Sequence, residues 1–564
     1  MTSHSQLPVL IVGAGPVGLS LACELVRHKV PFRLIDQADG PTIYSKAQIL
    51  HARTLELYED LGIATKLCEQ ARPARAMNMF GQQWERNAHI PIGEHDTAYP
   101  YMLNLSQRDT ELILAEHLES LGGRIERKVR LSAFERKDDE VVCTLVHEGG
   151  RTETLTVRYL CGCDGAHSTV RKGLGLPFVG ETYEWRLTQA DVRIDWSQSL
   201  PTDEAVTFMS PQGLLAAFPL PGERRYRLIA FDASEEPTLA TFQRLLDERG
   251  PSGCRVSDPH WMVQFTIHCR QVERYRVGPV FLCGDAAHIH SPAGGQGLNT
   301  GVQDAYNLGW KLGLCYHGVA SDKLLDSYHE ERHPVAAAVL RGTDSATKGA
   351  GVLLRLSSEW AQHLRNSAMR LFSSLSLVQR AASRSLSELD VAYSRSPIVG
   401  QRQSTPWNRQ GDDGHESPGL RDFFVFGDGP APGARVPDIH FVNARGEDQR
   451  LLPALHGGQH HVLLFDGAAA TEAGYKNLMM IASSLSARYG DRFVSHIVLP
   501  SRERPDELYH YAGSILFDPR GELHRAFGAR SECLYLIRPD GYVGFRSQPA
   551  SAEALHEFLG RIFS

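Results

Sequence analysis

Several absences narrow what this 564-residue chain can do. It has no block of like charge, and its formal net charge of −7 is mild and dispersed, which argues against nucleic acid and against an anionic membrane surface as partners. Cys161-Gly162-Cys163 has half the ligands of a structural metal site, but no second cysteine pair stands at ligand spacing, so no metal is expected. The ten cysteines are scattered and several fall in apolar stretches, as suits reduced, buried thiols in a cytoplasmic protein. The uncharged run Leu7 to Cys23 lacks a basic leader and a small-residue cleavage pattern, so it reads as strand, turn and helix rather than as a signal peptide.

Three glycine-bearing motifs follow one another in a fixed order. Val9-Leu10-Ile11-Val12 is a short apolar, β-branched stretch suited to a buried parallel strand, and helix formers run from Leu19 to Arg27. Gly13-Ala14-Gly15-Pro16-Val17-Gly18 therefore occupies a strand-to-helix turn. Gly13 permits the turn, Gly15 lets the backbone approach a pyrophosphate at the helix N-terminus, and Gly18 lets helix pack on strand. Phe32 to Ile35 reads as a second strand and ends at Asp36, roughly 20 residues on, where a carboxylate can hold an adenosine ribose.

The later motifs select the dinucleotide. Cys163-Asp164-Gly165 is followed by Val280-Phe281-Leu282, an apolar strand ending at Gly284-Asp285, with the acid placed to bond ribityl hydroxyls. The loop Ser291 to Asn299 then feeds a helix from about Leu298 to Leu314, whose N-terminus would stabilise negative charge on a reduced flavin. The ordered trio is what a protein needs to wrap FAD.

These stretches resemble the class A flavin-dependent aromatic hydroxylases, the p-hydroxybenzoate hydroxylase fold, and more closely the phenol and polyketide hydroxylases. The matching segments are the glycine-rich start, Ser45 to Gln48 with Ala52 to Glu56, Gln107-Arg108, Cys163 to Ser168 with Arg171, and Gly284 through Asn299. The resemblance implies an FAD-dependent monooxygenase that consumes NADPH or NADH and hydroxylates an aromatic, phenolic substrate with dioxygen through a C4a-hydroperoxyflavin. It implies FAD contacts from Gly13, Gly15, Pro16, Val17, Gly18, Asp36, Gln107, Gly284 and Asp285. Asp164-Gly165 would serve both FAD and NAD(P)H, and Gly297, Leu298 and Asn299 would offer backbone groups to the isoalloxazine. Pro292 is expected beside the flavin.

Two departures stand out. Lys46 occupies a position where family members often carry Arg, so a bidentate phosphate or NAD(P)H contact becomes a point charge. Gln48 stands where phenol hydroxylase has an acid; an amide can orient a substrate hydroxyl but cannot take its proton, which leaves the general base unassigned. His288 and His290 flank Ile289 without carboxylate or cysteine support, so His290 is a candidate for the pocket wall only.

The implied architecture is an α/β FAD-binding domain of Rossmann-like, glutathione-reductase type in separated segments, 1–181 and 271–393. An antiparallel-sheet substrate domain is inserted at 182–270, joined by 77–105. A polar passage at 394–433 reads as a linker. Residues 434–564 resemble the thioredoxin-like C-terminal domain of the phenol hydroxylases; with Cys533 as the only cysteine there, packing or homodimer formation is the expected task rather than redox chemistry. The Trp-x-Trp-x-Ile-Pro signature of flavin halogenases is absent. Oxygenation of a non-phenolic or antibiotic-like ring, and a non-catalytic flavin-binding partner protein, stay open as alternatives.

Overall fold

A computed structural model describes residues 7–42, 47–81, 85–93, 96–210, 212–231, 236–292, 294–354, 376–404, 419–467 and 475–563. The chain divides into two compact units, one made of Met1–His95, Tyr99–Tyr306 and Arg332–Leu389, the other of Asp96–Ala98, Asn307–Glu331 and Asp390–Ser564.

In the first unit, Val9–Val12 is buried at all four positions and forms parallel ladders with Phe32–Asp36 on one side and Tyr159–Gly162 on the other. Val280–Leu282 extends the sheet in parallel beyond Tyr159–Gly162, Ile125–Arg127 extends it beyond Phe32–Asp36, and Arg276–Val277 closes one edge antiparallel. The strands Val9–Val12, Tyr159–Gly162 and Val280–Leu282 therefore deliver Gly13, Cys163 and Cys283 to one end of the sheet, the carboxyl end where ligands of open α/β sheets bind. Helix Pro16–Arg27, with proline in its first turn, packs on helix Gln107–Ser120.

A second sheet of the same unit has eight strands. Its spine is a pair of 18-residue antiparallel strands, Phe178–Asp195 and Arg255–Val272, flanked by Arg225–Phe231, Gly213–Pro219 and Ala205–Ser210. The sheet is mixed rather than wholly antiparallel, because the Ala76–Phe80 and Arg86–Pro91 hairpin joins it through a parallel ladder between Ala76–Phe80 and Ala205–Ser210. Period-two alternation separates its faces. Ala190, Val192, Leu215, Ala217, Leu228 and Ala230 form a core with Phe242, Leu245 and Leu246 of helix Leu239–Arg249. The opposite face carries Gln189, Phe218, Arg227, Ile229 and Phe265.

The second unit is built on another eight-stranded sheet, in the order Gly400–Gln403, Val543–Gln548, Ser531–Ile537, His460–Gly467, Phe493–Leu499, Ser514–Phe517, His440–Val442 and Asp448–Arg450. His460–Gly467 is buried throughout and pairs parallel with Phe493–Leu499. Cys533 is buried in this sheet, and burial holds its thiol well above the ordinary range. The passage 394–433 is not simply a linker: it supplies the edge strand Gly400–Gln403, parallel to Val543–Gln548, and helix Leu420–Gly427, whose Phe426 is buried in the core. Polar Gln401-Arg402-Gln403 suits a solvent-facing edge, which is why its composition resembles a loop. Buried Glu331 gathers Lys311 at 2.7 Å and Arg538 at 2.6 Å. Among the described residues no helix is long and apolar enough to cross a membrane.

Candidate active site

A cavity of about 590 Å³ lies in the first unit, walled on one side by the glycine-rich turn and on the other by the eight-stranded sheet. Gly15, Pro16 and Val17 contribute the first turn of helix Pro16–Arg27. Among the described residues no side chain caps that helix, so its N-terminal N–H groups and positive dipole end are presented at the wall. Gln48, Gln107, Gly165 and Asp285 line the same cavity, and Pro292, Gly297 and Leu298 complete the arc at the start of helix Gly297–Tyr316.

Other residues singled out in the sequence stand behind this wall. An added Cβ at Gly13 would overlap the Cys163 carbonyl, at a φ of +103°, and one at Gly18 would overlap the Gly13 carbonyl. Asp36 braces the turn: its Oδ2 accepts from Ala14 N at 2.6 Å and its Oδ1 from Ala38 N at 2.8 Å. Asp164 turns into its own loop, with Oδ1 accepting from Ser168 Oγ at 2.5 Å and Oδ2 from Thr169 N at 2.6 Å, while Gly165 faces the cavity. Gly284 N donates to buried Asp304.

Asn299 is fully buried; its Oδ1 accepts from His51 N at 2.9 Å and its Nδ2 donates to the Ile49 and Gly295 carbonyls, so its side chain ties the Gly294–Gly295 loop to the Ile49–Leu50 strand. Gln107 Nε2 donates to Glu111 Oε1 at 2.9 Å. Lys46 lies outside the described residues.

The sheet side holds groups that no local motif announced. Arg227 donates from Nε and Nη2 to the two oxygens of Asp191, at 2.6 and 2.8 Å, and Trp261 Nε1 donates to the same carboxylate at 2.7 Å. The Trp261 ring lies 4.8 Å from the guanidinium carbon. Arg227 Nη1, Gln189 Oε1 and both amide atoms of Gln48 are buried without a hydrogen-bond partner among the described residues. The available signal was a buried Asp and Arg, each inside an apolar strand, but strand register decides whether they meet.

Burial pushes His51 and His290 down to about 4. Behind the wall, burial works against ionisation of Asp304, but His288 at 2.7 Å and Arg332 at 2.7 Å outweigh it and hold the carboxyl below its ordinary range.

The FAD binding domain family matches residues 6–343. Over 97% of its length the chain is 36% identical to 92% of a 6-methylpretetramide 4-monooxygenase of Streptomyces rimosus. It is 29% identical to a pentachlorophenol 4-monooxygenase of Sphingobium chlorophenolicum, covering 96% of this chain and 93% of that one. Among solved structures, the anhydrotetracycline hydroxylase from Streptomyces rimosus superposes with a TM-score of 0.71 at 29% identity, covering 99% of each chain. The chain belongs to this family of FAD-dependent aromatic monooxygenases.

The residues present suit the family's cofactor. An added Cβ at Gly15 would find its nearest heavy atom, Glu111 Oε1, only at 4.0 Å, so that glycine opens onto the cavity as close approach of a pyrophosphate requires, whereas Gly13 and Gly18 are glycines because the backbone leaves no room. Such a monooxygenase also needs a site that excludes bulk water. Met77, Met102, Phe218, Ile229, Phe265 and Ile267 give this cavity apolar walls.

Proposed function

We propose that this monooxygenase hydroxylates an aromatic ring bearing an ionisable hydroxyl group, with NADPH or NADH as reductant. The observation that carries the reading is the single cavity shared by the Gly15–Val17 turn, Asp285 and the Phe218, Ile229 and Phe265 side chains: one end suits a dinucleotide, the other a flat apolar ring. Bound FAD would pass the reducing equivalents from NAD(P)H to dioxygen and so supply its activation.

The chain's own residues bind, orient and exclude water. Gly15, Pro16 and Val17 would receive the pyrophosphate, Asp285 the ribityl hydroxyls, and Gly297 and Leu298 the flavin ring, with Pro292 beside it. Gln107 and Gly165 would complete the cofactor wall. The eight-stranded sheet of the first unit serves as the substrate platform; the sheet of the second unit is a thioredoxin-like domain with a packing or dimerising task. Gln48, buried with its amide unpartnered, would orient the substrate hydroxyl.

The test is NAD(P)H oxidation by the purified yellow protein against simple and polycyclic phenols. Stimulation by a phenol supports the reading; stimulation by non-phenolic rings alone moves the substrate to an antibiotic-like class, and no stimulation by any ring contradicts catalysis on aromatics.

A further inference from the structure

If the cavity takes a phenol, something must accept its proton. Several groups near it are committed elsewhere. Gln48 has no basicity. Asp191 is engaged by Arg227 and Trp261. His268, on the wall, is within 2.9 Å of Thr182 Oγ1 through its Nδ1, and Thr182 in turn accepts from Arg270. His51 donates from Nε2 to the Gly294 carbonyl at 2.8 Å and leaves Nδ1 buried without a partner among the described residues, but His51 does not line the cavity.

His290 differs. Its Nδ1 lies 3.0 Å from the Ser291 carbonyl oxygen, and a carbonyl only accepts, so Nδ1 carries the hydrogen. In the neutral ring Nε2 then holds a lone pair. That nitrogen is buried without a partner among the described residues. It lies 3.7 Å from where a Cβ on Gly297 would be, at the foot of helix Gly297–Tyr316, and His290 shares the cavity wall with Pro292, Gly297 and Leu298.

The neighbouring titratable group is His288, stacked on His290 at 6.5 Å between centroids; its Nε2 is bound to Asp304, which Arg332 also holds. Tyr275 also stacks on His288, at 5.8 Å between centroids.

We infer that His290 Nε2 accepts the proton of the substrate hydroxyl. This rests on the hydroxylase reading above. The substrate O–H bond breaks and an N–H bond forms at Nε2; the electron pair stays on the oxygen and is delocalised into the ring, which becomes more nucleophilic at its ortho and para carbons. Burial keeps the imidazole neutral at ordinary pH and by the same cause lowers its basicity, so the transfer needs a counter-charge beside Nε2. A phenolate on Nε2 supplies the counter-charge that a buried imidazolium otherwise lacks, which favours the transfer.

The test uses the holoenzyme and the phenol that best stimulates the wild type. His290→Asn keeps a donor for the Ser291 carbonyl and removes Nε2. Under ¹⁸O₂, the rate at which the ring gains labelled oxygen should fall about 100-fold, within the usual range for a lost general base. The loss should shrink as pH rises toward the phenol's own pKa, and shrink also for a ring-fluorinated, more acidic analogue. Long-range ¹H–¹⁵N spectra of ¹⁵N-histidine-labelled protein should show an Nδ1–H tautomer signal that vanishes in H290N.

An undiminished rate in H290N, a loss equal at every pH and for the fluorinated analogue, or an Nε2–H tautomer in the wild type overturns the assignment alone. A wild type that no phenol stimulates overturns the hydroxylase reading and this assignment with it.

Discussion

Arg227 and Asp191 form a bidentate ion pair on adjacent strands of the eight-stranded sheet, with the arginine side chain 1% exposed and the aspartate 8%. Removing one partner leaves the other charge buried and uncompensated, so Asp191→Asn or Arg227→Met should each destabilise the protein by about 3–5 kcal/mol. The double variant D191N/R227M should lose less than the sum of the two. Urea unfolding of the three variants checks both statements, and additive losses would contradict the pairing.

Glycines of the first motif should separate by role. Gly13→Ala forces a side chain onto a φ of +103° and into the Cys163 carbonyl, so its thermal stability should drop, with roughly 1–3 kcal/mol from backbone strain alone. Gly15→Ala meets only open cavity and should fold like the wild type while binding FAD at least about tenfold more weakly, a difference of about 1.4 kcal/mol. Thermal unfolding and FAD titration, measured side by side, distinguish the two.

Glu388 is buried with Thr300 Oγ1 at 3.4 Å and Gln303 Nε2 as neighbours, and burial pushes its carboxyl up to about 8. Between the ordinary value of 4.5 and about 8 the folded chain holds a proton that the unfolded chain has released. The stabilisation is therefore complete below that window and declines as pH rises through it, by up to about 1.4 kcal/mol per pH unit. Glu388→Gln should flatten this part of the stability profile, as denaturant midpoints from pH 5 to 8 would show.

Glu331 of the second unit is fully buried between Lys311 and Arg538. Glu331→Gln leaves Lys311 buried without a carboxylate partner, while Arg538 keeps Asp540, and should cost about 3–5 kcal/mol. A domain-resolved measurement such as hydrogen exchange should place the loss around Lys311 and Arg538.

What was legible in the sequence was local. Strand, glycine turn, helix and Asp36 fall within some 30 residues, and each reads from its own neighbours: β-branched residues for the strand, Pro16 in the first helical turn, an acid ending the second strand. Asp285 and the Gly297 helix start were legible for the same reason.

The contacts that shape the cavity are long-range. Asp191 meets Arg227 across 36 positions and Trp261 across 70, and Asn299 reaches His51 across 248, so no window of sequence contains both partners. The hydrophobic stretch from Leu214 to Leu220 illustrates the difficulty. Leu215 and Ala217 belong to the core under the sheet while Phe218 lines the cavity, a split that only register reveals. Gly400–Gln403 escaped notice because a polar edge strand and a polar linker have the same composition.

The most direct test of the account is the fate of dioxygen. With ¹⁸O₂, NAD(P)H and the stimulating phenol, the product should carry one labelled oxygen on the ring, in an amount approaching the NAD(P)H consumed. Label found only in hydrogen peroxide, with the ring unchanged, would contradict hydroxylation of the aromatic ring.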